Sequence, residues 1–375
     1  MRRWLALSLW VVSLNMVTAA RIMAFGSKCN YSPYRGSRGY SKVLHHRASG
    51  NPMSTVRTTG RRIHLYYNDY YKVVLPPNHK FPMDKYRLVR DSVKEKYGDK
   101  VTFLESPLAS REELESTHCP DYITRFLEGT MSEREIRVSG FPWSPRGVNR
   151  ALSSVGGTLA ATREVLSQGL ESGAVAAHLA GGTHHAMYDR PEGFCIFSDI
   201  AVAANMAFKE FSELERILII DCDVHQGNGN AVLFQDDPRV FTFSMQCEGN
   251  IFSKKAKSDV DVDLPNGISD AEYLAQLKSW LTPFLMDVVK PQLVFYQAGV
   301  DISEHDRLGK LKITRKGLRR RNELVYRAVQ KRGIPLVLTM GGGYPKNLDH
   351  DSTAFKTLIG AHSDCYHQLI DIFQR

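Results

Sequence analysis

Residues 218–231 read LIIDCDVHQGNGNA. Three apolar residues of this stretch lead into Asp221, Asp223 and His225, at i, i+2 and i+4. In extended chain these three side chains share one face. Two carboxylates and an imidazole crowded on one face repel, or are costly to bury, unless a cation lies among them. Oxygen and nitrogen donors of this kind suit zinc and similar divalent metals. Asp301 ends a second apolar run, LVFYQAGVD, and is a natural third ligand. With Asp223, His225 and Asp301 bound, one metal position stays open for water, the catalytic arrangement.

Two further features carry chemistry. His184-His185 follows AHLAGGT, and adjacent histidines at a strand end could be a general base and its partner, or further ligands. Asp221 is then left as an acceptor behind one of them. Tyr344 follows TMGGG; the glycines Gly342 and Gly343 let backbone pass close to a ligand, and the hydroxyl can reach a developing oxyanion.

Positioning these groups calls for a particular frame. The apolar runs GAVAAHLA, RILIID, RVFTFSM, QLVFYQAG and IPLVLTMGGG alternate with helix-like spacers, among them FSDIAVAANMAFKEF and TRKGLRRRNELVYRAVQKRG. That rhythm predicts a parallel sheet with helices on both faces. Each run ends in unusual chemistry, and ligands of such sheets bind at the carboxyl ends of the strands. A long helix is expected over GVNRALSSVGGTLAATREVLSQGLESG, interrupted or weakened near Gly156-Gly157.

The chain has 375 residues and a formal charge of +9. The charge is localised: no acid precedes Asp69, and residues 1–62 hold 11 Lys/Arg, leaving 38 basic against 40 acidic residues beyond. A basic domain for nucleic acid is therefore not indicated. Residues 1–20 pattern as a signal-like segment and 21–62 as a basic, disordered, transit-like one. Together they resemble a two-part plastid leader, with the secretory pathway or mitochondrion as alternatives. Residues 63–375 are expected to form one catalytic domain, with no membrane span. The six cysteines form no CxxC pair and read as buried free thiols.

Taken in order, the blocks GGTHHAMYDRPEGFCIFSDIAVAA, IDCDVHQGNG, DPRVFTFS, AGVDISEHDRLGKL and GGGY resemble the histone deacetylase family of zinc amidohydrolases. HQGNG and DRLGKL look most like class IV and its bacterial relatives. The resemblance implies a three-layer α/β/α arginase-deacetylase fold and removal of acyl groups from lysine-type amines. It implies that Asp223, His225 and Asp301 bind one Zn2+, that His185 is the general base, and that His184 with Asp221 supports the developing charge. Tyr344 would polarise the carbonyl. Gly193 and Phe194, with Leu308 at the inner part, would line an acyl-lysine tunnel alongside Gly342 and Gly343. K+ would sit at backbone oxygens around Asp221, Asp223 and His225, with Ser244 and Met245.

The chain also departs from the family pattern. Asn228 stands where class I has an aspartate, Ser198 where an Asn is usual, and QCEGNIFSKKAKSD offers no clear second tunnel phenylalanine. Three other readings stand beside deacylation of lysine: hydrolysis of small acetylated amines such as acetylpolyamines, a non-catalytic acyl-lysine-binding module, and a two-metal hydrolase.

Overall fold

The computed structural model describes residues 62–374 apart from residue 78. The signal-like and transit-like segments lie outside the described residues.

The described chain opens with β1 (Ile63–Tyr67), then α1 (Lys85–Tyr97), β2 (Val101–Glu105), α2 (Arg111–Glu115), α3 (Pro120–Glu128), α4 (Glu133–Ser139), α5 (Pro145–Leu166) and β3 (Val175–His178). It continues through α6 (Asp199–Glu210), β4 (Ile217–Asp221), α7 (Asn228–Leu233), β5 (Val240–Cys247), β6 (Val260–Leu264) and α8 (Asp270–Trp280). After a π-helical turn, Leu281–Val288, come β7 (Leu293–Gln297), α9 (Arg315–Gln330), β8 (Leu336–Thr339) and α10 (Thr353–Phe373). Thr282 leaves helical geometry because it precedes a proline, which disfavours the α region there.

The eight strands make one sheet in the order β2-β1-β3-β8-β7-β4-β5-β6, with every pair parallel. The central strands β3, β4, β7 and β8 are buried at every position. That burial requires helices on both faces. α5 packs on β1, β3 and β8 and against α6, while α1, α9 and α10 pack together as a separate group. The parallel sheet with helices on both faces read from the strand rhythm, and the three-layer α/β/α fold implied by the resemblance, are the ones observed.

Three strands escaped the sequence reading: β1, β2 and β6. Of these β2 and β6 are the sheet edges, and VDVDL in β6 has exposed positions instead of running apolar.

The expected break at Gly156-Gly157 is also absent. α5 runs unbroken through both residues, each fully inside the packing. A Cβ on Gly156 would lie 2.8 Å from the Pro107 carbonyl carbon, and one on Gly157 2.5 Å from Ser106 Oγ. The glycines bring helix and sheet close together; they do not loosen the helix. Among the described residues all five cysteines are free thiols, and no helix is long and apolar enough to cross a membrane.

Candidate active site

Five strands deliver their endings to one edge of this sheet. β4 ends at Asp221 and places Asp223 and His225 just beyond it; β7 is followed by Asp301. His225 Nδ1 stands 3.2 Å from Asp223 Oδ1 and 3.3 Å from Asp301 Oδ2. Ligand atoms about 2.0–2.1 Å from a tetrahedral zinc are about 3.3 Å from one another, so the spacing is that of a metal site. Asp223 and Asp301 are fully buried, and Asp301 Oδ2 has no hydrogen-bond partner among the described residues. Two buried carboxylates, one with an oxygen that accepts no hydrogen bond, call for a cation. The residues present therefore fit a divalent metal, and they are the one three-residue group of metal-ligating type among the described residues.

The protonation pattern of the metal-free protein agrees. Burial, reinforced by Asp223, raises Asp301 to about 6. Burial opposes charge on His225, but Asp223 and Asp301 outweigh it and lift the imidazole to about 10.

The strand β3 leads into Gly181 and Gly182, both at positive φ (74° and 79°). Asp199 receives the amides of Gly182 (2.9 Å) and Thr183 (2.7 Å), fixing the turn that presents the histidines. Ser198 caps α6 through the Ala201 amide and so sets Asp199 in place. His184 Nδ1 is 2.6 Å from Asp221 Oδ2, and the two imidazole centroids of His184 and His185 are 3.9 Å apart. Burial would lower His184, but Asp221 and Asp223 together lift it to about 9. His185 moves the other way: burial first, then the neighbouring His184 and His225, hold it well below its ordinary value.

His185 Nδ1 lies 2.7 Å from Asn228 Oδ1, and Asn228 Nδ2 donates to buried Glu192 at 2.9 Å. Glu192 was not foreseen from the sequence, because it lies 36 residues from its partner.

After β8, the Gly342 amide donates to Asp223 Oδ2 at 2.8 Å, and the Tyr344 amide donates to Asp306 at 2.6 Å. Burial, then Asp223 and Asp301, push the Tyr344 phenol well above its usual range, so it remains a donor. A Cβ on Gly343 would crowd His362.

Gly193 and Phe194 both take positive φ (53° and 66°), a strained state for a phenylalanine. Their amides donate to the Val138 and Ser139 carbonyls, which hold the strain. Phe194 stacks near Tyr344, and Leu308 lines the opening with Asn250. Opposite them stands Phe252, 4.7 Å from the His185 ring and 5.4 Å from His225. It is the one aromatic residue of QCEGNIFSKKAKSD, a Lys-rich loop.

The residues Asp221 and Ser244 face each other in the β4–β5 register, with Met245 buried next along β5. Ser244 Oγ accepts the Gly227 amide at 3.2 Å. Beneath the site, fully buried Arg321 donates to the carbonyls of Ala298 and Gly299 at 3.1 and 2.5 Å.

An open parallel sheet whose carboxyl edge gathers a buried carboxylate–imidazole cluster, paired histidines and a glycine-borne tyrosine is the arrangement of the arginase-deacetylase fold. The chain belongs to the histone deacetylase family: the model of the histone deacetylase domain matches residues 79–358. It is 42% identical over 308 residues to an uncharacterized protein of Picosynechococcus sp., covering 82% of this chain and 98% of that one. It is 32% identical over 279 residues to histone deacetylase 2 of Arabidopsis thaliana, covering 72% and 70%. A crystal structure of an HDAC homolog complexed with SAHA superposes with a TM-score of 0.66 at 25% identity, covering 83% of this chain and 84% of that chain.

Proposed function

We propose that this protein is a zinc-dependent lysine deacylase. The observation that carries the reading is His225 Nδ1 set 3.2 and 3.3 Å from carboxylate oxygens of Asp223 and Asp301, at the foot of an opening shared with His185 and Tyr344. When bound there, zinc lowers the pKa of water toward about 7 and polarises a carbonyl.

The residues of the chain divide the remaining work. His184 and His185 are too close for both to be charged, and His184 holds the proton beside Asp221. His185 is therefore neutral at rest. With its Nδ1 proton directed at Asn228, its Nε2 is free to take a proton from water and return it to the leaving amine, a step worth about 10²–10⁴-fold. The Tyr344 hydroxyl donates to the oxyanion as it forms. Phe194 and Phe252 flank the approach and exclude water from an extended aliphatic stem.

The opening is lined by Lys80, Arg137 and Lys310, and by no carboxylate among the described residues. That potential repels a polycation, which favours an acylated protein side chain over an acetylpolyamine. An intact set of ligands, histidines and Tyr344 argues against a non-catalytic module, and among the described residues no second cluster supports a two-metal mechanism. K+ belongs to the same reading, at the Asp221–Ser244 pairing with Met245 alongside; its test is potassium-dependent melting. Imaging a fusion to residues 1–62 tests the plastid address.

The direct test is hydrolysis of acetyl-lysine peptides by the zinc-loaded full chain. Loss of turnover with chelator and recovery with zinc is expected; chelator-insensitive turnover overturns the proposal.

A further inference from the structure

Beside the catalytic residues lies a space of about 80 Å³ whose lining includes His184, His185 and Tyr344 together with Lys85 and Arg150. At roughly 10–15 Å³ per water-sized site, it admits about six heavy atoms.

Arg150 projects from α5 and is 7% exposed. Its guanidinium carbon lies 4.2 Å from the centroid of the Tyr86 ring and 5.9 Å from that of Phe81. Its Nη1 is buried without a hydrogen-bond partner among the described residues. Lys85 is 1% exposed; its Nζ stands 5.4 Å from the same two rings, 5.5 Å from the Tyr344 ring, and donates to the Gly341 carbonyl at 3.0 Å. No carboxylate among the described residues lies within ion-pair distance of either cation. Arg321 supplies the contrast: it is buried too, and its nitrogens meet the carbonyls of Cys222, Ala298 and Gly299 and the side chain of Asn322. A structural guanidinium in this fold is saturated. Arg150 is not: its Nη1 is left without an acceptor, and a buried donor in that state is costly.

We propose that this space is an acyl subsite in which Arg150, with Lys85 beside it, receives a terminal carboxylate, so that the preferred substrates are lysines acylated by short dicarboxylic acids of succinyl or glutaryl length. The inference rests on the deacylase reading of the same site. A planar guanidinium matches a carboxylate in two parallel hydrogen bonds, and Lys85 adds charge from the Tyr344 side. The reaction balances as a hydrolysis. Water adds to the amide carbonyl, the C–N bond breaks, the nitrogen leaves with a proton from that water, and the products are the lysine amine and a dicarboxylate. The apolar rings of Phe81 and Tyr86 leave the carboxylate no competing solvent.

The test uses the zinc-loaded full chain and one peptide carrying acetyl-, succinyl- or 4-methylpentanoyl-lysine, the last being the neutral isostere of succinyl. A kcat/KM at least tenfold higher for succinyl than for its isostere is expected, with the ratio inverted in Arg150→Met and partly restored in Arg150→Lys. Calorimetry of free succinate against free acetate and 4-methylpentanoate gives a second readout on the unaltered protein. Succinate should bind at least tenfold tighter than either. Preference for the isostere overturns the inference, as does acetate binding as tightly as succinate or a ratio unmoved in folded Arg150→Met; each of these leaves deacylation standing. Failure of all three acyl peptides defeats the deacylase reading instead, and succinate binding that is lost in Arg150→Met still decides the subsite.

Discussion

Glu192 fixes the orientation of the Asn228 amide and, through it, the proton on His185. A carboxylate only accepts, so the Asn228 nitrogen must face Glu192 at 2.9 Å and the carbonyl oxygen must face His185 Nδ1 at 2.7 Å. Nδ1 therefore carries the hydrogen, and Nε2 is the basic nitrogen. The charge missing at position 228 is supplied one residue further away, where it orients His185 without holding an imidazolium directly. Replacing Glu192 with Leu frees the amide to turn its NH2 toward His185, which selects the inert tautomer. We expect kcat/KM to fall about 10²-fold with zinc content unchanged. Full activity in Glu192→Leu would remove this role.

Tyr344 tests the oxyanion step separately. Its ring packs against Phe81 and Phe194 at centroid distances of 6.0 and 5.7 Å, contacts that phenylalanine keeps. Tyr344→Phe should lower kcat about 10²–10³-fold while KM and melting temperature barely move. A loss confined to KM would place the hydroxyl in ground-state binding instead.

The metal cluster makes stability and pH interdependent. Asp301 has a folded pKa of about 6, above its unfolded value near ~3.9. In the metal-free protein its protonation therefore contributes stability below about pH 4 that is lost as pH rises through 6. His225, raised to about 10, carries a proton at pH 7 that a metal must displace. Zinc uptake at pH 7 should release about one proton per site, read by calorimetry in buffers of different ionisation enthalpy. The rise in melting temperature on adding zinc should be larger at pH 8 than at pH 5. Equal gains at both would show that these are not the ligands.

Legibility in the sequence followed distance along the chain. Asp221, Asp223 and His225 are local, and each apolar run ends beside its own chemistry, so the parallel sheet and its site-bearing edge could be read together. Partners joined only by folding could not. Glu192 meets Asn228 across 36 residues, and Lys85 reaches Gly341 across 256. Arg150 and Arg321 sit in helices whose charges look solvated until packing buries them. Gly156-Gly157 misled because a glycine pair signals either a weak helix or a close approach, and only the facing Pro107 and Ser106 decide which.

Phe252 is 52% exposed yet leans on both His185 and His225. Because half of its surface already faces water, Phe252→Ala should change the melting temperature little. It widens the opening and should raise KM for peptide substrates several-fold, with kcat falling less. An unchanged KM would mean that the acyl-lysine stem does not pass this ring.

Gly342 and its neighbour Gly341 separate damage to the metal site from damage to the fold. Gly342 lacks the positive φ that makes a side chain strained, but an added Cβ would lie 2.7 Å from Asp223 Oδ2 and closer still to Asp301 Oδ2. Its cost therefore falls on the two carboxylates, and Gly342→Ala should bind zinc about 10–100-fold more weakly, with activity lost in proportion. Gly341 has φ 69°, and a Cβ there would stand 2.8 Å from the Gly299 backbone. That clash cannot be relieved by turning a side chain, so Gly341→Ala should lower the melting temperature even in chelator. Melting curves with and without zinc distinguish the two. If Gly342→Ala lost stability in chelator as Gly341→Ala does, the Gly342 backbone would be structural and not shaped around an ion.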